Sequence, residues 1–145
     1  MKNIKFILIS LLILCLALAI LTFLKIKAKE DFQQKAVLAM ETRKVLEHLM
    51  VDLREARENT ILDAPADGAW HSRIAFDRIG QGSLEYIVKE GRLLRLNHGQ
   101  SLLIADDIAT LHIRRQQSTP DILEVQIEAQ KNVSLVSNLR IRIRH

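Results

Sequence analysis

Cysteine is nearly absent: the one thiol is Cys15, so the chain cannot close a disulfide on itself and its cysteine usage says nothing about redox compartment. Proline and glycine are also scarce, at two and five residues, and none of them precedes Pro65. Nothing in the first 64 residues therefore obliges a helix to stop. Aromatic residues make up 4% of the chain, which leaves few platforms for stacking nucleic-acid bases. Acidic residues are missing from positions 1–29, which hold five Lys, whereas 30–60 hold five basic and seven acidic residues and 61–145 hold eleven and ten. The net charge of +4 on 145 residues thus belongs to the N-terminal end, and a pI near 9.5 is no argument for a nucleic-acid partner. The length fits about one domain.

What stands at the N-terminus is the run Phe6–Leu24, nineteen uncharged residues with only Ser10, Cys15 and Thr22 mildly polar. It is long enough to cross a bilayer core as a helix. Lys2 and Lys5 before it and Lys25, Lys27 and Lys29 after it can reach headgroups. Ala17-Leu18-Ala19 has the small-x-small form that a signal peptidase accepts, but apolar residues continue for five positions beyond it, so an uncleaved anchor is the preferred reading. Leu14 before Cys15, where a lipoprotein signal wants a small residue, leaves the thiol facing lipid or a neighbouring helix. The positive-inside comparison is a tie.

Glu30–Glu58 is rich in strong helix formers, with apolar or small residues at Phe32, Ala36, Ala39, Leu46, Leu49, Leu53 and Ala56. The expectation is one helix from about residue 4 to about residue 59, roughly 80 Å long. Its stretch from Glu30 to Lys44 has a narrow apolar face and reads as a stalk. Val45, Leu46, Leu49, Met50, Val51, Leu53 and Ala56 make a broad face that must be covered. Barely two heptads, with Arg43 in the seam, fall short of a coiled coil.

From Ile61 the apolar period changes to two. Ile74 and Phe76; Leu84, Tyr86 and Val88; and Leu94 and Leu96 predict a three-stranded meander, turned at Gly80–Ser83 and Glu90-Gly91 and closed by Asn97–Gln100. Leu102–Ile104 is a short apolar stretch, Ile108–Arg115 a fourth strand, and Ser118–Asp121 a turn. Leu123, Val125, Ile127 and Ala129, then Leu139, Ile141 and Ile143, complete a single antiparallel sheet with one buried face. The fold class expected is α+β: a long N-terminal transmembrane helix continuing into a stalk, its C-terminal half packed on an antiparallel β-sheet. The divisions are a leader at 1–5, a membrane helix at 6–24, its extramembrane continuation at 25–60 and a β domain at 61–145.

This plan resembles that of type IV pilins and the pseudopilins of type II secretion. Leu84–Leu96, with its Tyr86 strand, Glu90-Gly91 turn and Leu94-Arg95-Leu96, followed by Leu103–Ile113 with Ala105-Asp106-Asp107, is similar to the central region of J-type minor pseudopilins. Arg54-Glu55-Ala56 also looks like that family. With Phe6 matched to the family's first mature residue, Lys5 stands where the family has Gly and Ser10 where it has Glu, so the prepilin cleavage motif is degenerate. The resemblance implies a structural subunit of a secretion, pilus or related assembly, single-pass in the bacterial inner membrane. The N-terminus would be cytoplasmic and the sheet domain periplasmic or extracellular. Phe6, Ser10, Cys15 and Leu24 would lie in the membrane and assembly segment, and the partners would be other pilin-like subunits and inner-membrane assembly proteins.

Chemistry is sparsely encoded. His48, His71, His98, His112 and His145 have no metal-ligand spacing, and Asp106-Asp107 lacks the further oxygen ligands that calcium needs, so neither a metal nor a cofactor is expected. Gly80-x-Gly82 is too short to cradle phosphate, and no serine sits in a nucleophile elbow, so no enzymatic activity is expected. Trp70, the only Trp, is read either as a plug in the helix–sheet seam, which is preferred, or as an exposed partner contact. The row Arg140, Arg142 and Arg144 is read as a charged strand edge in preference to a DNA-gripping face. A stand-alone anchored binding domain and a DNA-uptake pilin remain as alternatives.

Overall fold

The computed structural model describes residues 2–57, 60–61, 63–80 and 82–143, with the helical backbone alone for 2–7. Among these residues there are one α-helix, α1 (Lys2–Arg54), and seven strands: β1 (Arg73–Arg78), β2 (Gly82–Lys89), β3 (Arg92–Asn97), β4 (Gln100–Ala105), β5 (Ile108–Gln116), β6 (Thr119–Gln130) and β7 (Ser134–Arg142). The chain divides into two compact units, Met1–Gln34 and Lys35–His145.

The first unit is helical throughout its described residues. It carries the helix stretch that is long and apolar enough to cross a membrane, and none of the most apolar window is buried by the rest of the protein. Thr22, polar within that stretch, donates its hydroxyl to the Ala19 carbonyl at 2.8 Å, which satisfies it inside the helix as an apolar surrounding demands.

In the second unit the buried side of α1 is formed by Leu38, Thr42, Val45, Leu49, Asp52 and Leu53, spaced three and four apart. It begins earlier than the broad face expected from Val45 onward, and Val51, expected to be covered, is half exposed. The helix also stops at Arg54, short of residue 59. The last turn tightens through bonds from Glu55 N to Asp52 O and from Ala56 N to Leu53 O. The chain then pairs with β1: Arg57 N donates to Asp77 O at 2.9 Å and Ile79 N to Glu55 O at 3.1 Å.

Instead of one sheet there are two, a four-stranded sheet in the order β1-β2-β3-β4 and a three-stranded sheet in the order β5-β6-β7, all antiparallel. Leu102–Ile104 belongs to β4. The register of β3 against β4 shifts at Leu93/Leu94, and Asp107 takes a left-handed φ of 59° just before β5 begins. The chain changes sheets at that point.

Register also corrects the core face of β3. Glu90 and Gly91 both have positive φ, as a two-residue hairpin turn requires, and so Val88 faces Leu93, Tyr86 faces Arg95 and Leu84 faces Asn97. Leu93 is fully buried, while Leu94 and Leu96 lie on the opposite face, half buried. The turn expected at Ser118–Asp121 is shorter, since Gln116 pairs with Thr119 and Pro120 already lies in β6 near its start. Leu38, Val45, Leu49 and Leu53 share one core with Ile74, Phe76, Leu84 and Tyr86 of the first sheet and Leu111, Ile113, Leu123, Val125 and Ile127 of the second. Each such fully buried aliphatic side chain contributes about 1.5–3 kcal/mol.

Candidate functional site

Polar chemistry gathers in two places in the second unit. The first grows from Asp52, a carboxylate on the buried side of α1, only 3% exposed. Tyr86 on β2 and Arg95 on β3 face each other across the ladder. The Tyr86 hydroxyl donates to Asp52 Oδ2 at 2.6 Å, Arg95 Nε to the same oxygen at 2.6 Å, and Arg78 Nη1 to Oδ1 at 2.7 Å. Arg78 also pairs with Glu55 through Nε at 2.6 Å. Burial pushes the Tyr86 phenol well above its ordinary range, with the neighbouring carboxylate adding to the shift. The hydrogen bond to Asp52 raises the Arg95 guanidinium further.

The Asp52 carboxylate thus holds three donor side chains. Its physical effect is to tie the helix to three strands at one depth, with each buried charge compensated. Beside it runs an open groove of about 770 Å³ lined by Lys44, His48, Val51, Asn97 and Leu102 among others. The Asn97 side-chain oxygen is buried there with no hydrogen-bond partner among the described residues.

The second place is the outer face of β5-β6-β7. Asp67 Oδ1 accepts from Ala69 N at 2.8 Å and lies 3.2 Å from His71 Nε2. The backbone bond to Ala69 holds the Asp67 carboxyl below its ordinary range, with His71 acting in the same direction. His71 then exchanges two 2.8 Å backbone hydrogen bonds with Ile113, which fastens the preceding Trp70 over β5. The Arg114 guanidinium lies 4.4 Å from the centre of the Trp70 ring, a cation–π geometry, and His112 meets the indole edge-on at 6.4 Å. Glu124 sits opposite both Arg114 on β5 and Arg140 on β7. It receives the Arg114 guanidinium in a close ion pair and Arg140 Nη2 at 2.8 Å. The bond from Arg114, reinforced by Arg140, holds the Glu124 carboxyl below its ordinary range. Trp70, Arg114, Glu124, Asn138, Leu139 and Arg140 line a depression of about 520 Å³.

The structure therefore brings Trp70 and Arg140 to one surface. Trp70 is 42% exposed and does not plug the helix–sheet seam, because its loop pairs with the outer edge of β5 and its ring follows His112 and Arg114 outward. Arg142 is held apart from this depression by Asp121 at 3.0 Å. Arg144 lies outside the described residues, as does the side chain of Phe6. Ser10, Cys15 and Leu24 are exposed along α1. At about 100° per residue, Cys15 points well away from the side that Ser10 and Leu24 share. Asp107 pairs with Lys131 at 3.3 Å and Asp106 with Arg92 at 3.4 Å. Among the described residues no three His, Cys, Asp or Glu side chains gather as metal ligands would.

The Asp52 cluster escaped the sequence reading. Its signal was an acid inside the apolar stripe of Leu49, Leu53 and Ala56, where an unpaired charge would be prohibitive. Comparison of the chain with protein-family models and with curated proteins finds no match.

Proposed function

We propose that this chain is a membrane-anchored, pilin-like structural subunit of a type II secretion, type IV pilus or related assembly. One observation carries the reading: an apolar N-terminal helix continues without interruption into the helix segment whose buried face serves as the core of an antiparallel β domain. In this reading the anchor lies in the bacterial inner membrane, with the leader cytoplasmic and the sheet domain periplasmic or extracellular. The uncovered apolar surface of the first unit meets other pilin-like helices and inner-membrane assembly proteins. Val37 and Met40, 51% and 64% exposed, offer apolar surface of the same kind at the start of the second unit. The protein acts as scaffold and performs no catalytic step.

A stand-alone anchored binding domain is the second reading, favoured by the depression around Trp70, Arg114 and Arg140. A DNA-gripping role has less support, since Arg140 and Arg142 already pair with Glu124 and Asp121.

Purification of the full chain from membranes in mild detergent tests the proposal. Recovery with other pilin-like subunits supports it, whereas consistent recovery without them favours the binding domain. Intact mass of the same sample examines processing. Lys5 has a long charged side chain where prepilin peptidase needs a small one, so residues 1–24 stay on the mature chain. Loss of five residues with a methyl group added would make the chain an ordinary pilin, and loss of nineteen would make it a secreted domain.

A further inference from the structure

The two sheets have four outer strands, β1, β4, β5 and β7, and the protein treats them differently. The edge of β1 is covered by Glu55–Arg57 and by Thr60, through the backbone bonds of Glu55 and Arg57 and through Asp77 N donating to the Thr60 hydroxyl at 2.8 Å. The edge of β5 is covered by Gly68–His71, with Gly68 N bound to Arg115 O at 2.9 Å and His71 to Ile113. β7 carries Arg140 and Arg142 on its exposed face, the kind of charge that discourages edge-to-edge pairing. Among the described residues β4 has none of these devices. Its sequence, Gln-Ser-Leu-Leu-Ile-Ala, is uncharged, Gln100–Leu103 are exposed, and Leu102 and Leu103 are 52% and 47% accessible.

The register shows which backbone groups β4 offers. His98 and Gly99 form a two-residue turn with positive φ at both positions, which makes Asn97 and Gln100 the hydrogen-bonded pair that closes it. Alternate residues then point their N–H and C=O groups outward, and these are Ser101 and Leu103. Water can hydrogen-bond these groups one at a time, whereas a second extended strand engages the whole row at once, which makes the edge a template for pairing.

We infer that β4 is a pairing edge for a second copy of this chain, joined antiparallel about a two-fold axis. Ser101 of each copy pairs with Leu103 of the other, and Leu102 faces Leu102. Opposite residues in an antiparallel ladder share a face, and this register keeps that rule for every pair. The uncharged edge sets no like charges against each other, whereas the same pairing through β7 would crowd Arg140 and Arg142 against their copies. Leu102 also lines the groove with Val51, which is 50% exposed. The second Leu102 side chain thus finds apolar surface on the inner side. On the outer side Leu103 continues a row from Ile87 and Leu94, so the joined strands are flanked by apolar side chains on both faces.

Cysteine crosslinking of the full chain in its membrane tests this, in a Cys15→Ser background. The central pair faces across the outer edge without hydrogen bonds, where β-carbons lie about 4.5–5.5 Å apart, so oxidised Leu102→Cys should run as a disulfide-linked dimer of twice the chain mass. Arg140→Cys on the charged edge should give at most a tenth of that yield. Adding Ser101→Pro removes one outward N–H and leaves the bonds to β3 in place, and adding Leu103→Lys places a charge on the edge. Each should cut the Leu102→Cys dimer at least tenfold. A dimer yield no higher than that of Arg140→Cys, a yield insensitive to both added changes, or an adduct of Leu102→Cys with a different protein would overturn the inference.

Discussion

Leu14 and Leu49 are the same residue type in the same helix, yet Leu14 is 58% exposed and Leu49 is fully buried. The difference lies in what solvates each stretch. Around Leu49 the side chains at every third or fourth position turn toward two sheets, and charged residues such as Arg43 and Glu47 occupy the other side, joined to each other at 2.8 Å. Around Leu14 every direction is apolar and no described residue covers it. A helix that is apolar all round needs a surrounding that the protein itself does not supply, and a bilayer provides one.

Substitutions in the two stretches separate these roles. Leu49→Asp places an unpaired carboxylate in the core and should destabilise the β domain by about 5 kcal/mol. Thermal unfolding of the purified protein reads this, and Lys44→Asp, on the exposed side, should leave the midpoint almost unchanged. Equal midpoints would refute the division of the helix into buried and open faces. Asp52→Ala removes the carboxylate shared by Tyr86, Arg95 and Arg78 and should cost about 4 kcal/mol by leaving buried donors uncompensated. Denaturant titration checks this loss.

Leu14→Arg should leave the unfolding of the β domain where it was and instead oppose membrane insertion by about 3 kcal/mol. Carbonate extraction of membranes would show the shift toward the soluble fraction. The smallest effect belongs to the outer surface. Glu124 has a folded pKa below its ordinary value, so its ion pairs are intact above the ordinary glutamate range and their contribution is lost as pH falls through the depressed folded value. Solvent around the partners, with Arg140 77% exposed, screens the pairs and keeps that contribution to about 1 kcal/mol. Because Arg114 stacks on the single Trp, the fluorescence of Trp70 should change below the ordinary glutamate pKa, and Glu124→Gln should abolish the transition.

The legible parts were those written in a simple period. The apolar run, the helix after it and the alternation in β5, β6 and β7 were read from side-chain spacing alone, because a helix and a half-buried strand each repeat with a fixed step. The inward face of β3 was misread: Leu93-Leu94-Arg95-Leu96 offers apolar residues at both parities, and only the positive-φ turn at Glu90-Gly91 selects Leu93 and Arg95. Trp70 was misplaced for a related reason. A loop residue has no period, and its position came from the backbone pairing of His71 with Ile113. Of the candidate surface the sequence supplied Trp70 and Arg140 as separate residues, while Arg114 and Glu124, which join them, sit forty or more positions from Trp70 along the chain.

By itself the sequence determined that residues 6–24 need an apolar surrounding, that a long helix follows without a breaker, and that alternating strands fill the rest. These are consequences of local composition and spacing, which each residue carries wherever it goes. Tertiary structure alone decided that the strands divide into two sheets, that Asp52 becomes the joint between α1 and β1, β2 and β3, and that β4 is left as an edge that no described residue covers. Those outcomes depend on hydrogen bonds and ion pairs between residues distant in the chain, whose partners are chosen by register and by packing and leave no repeating mark in the sequence.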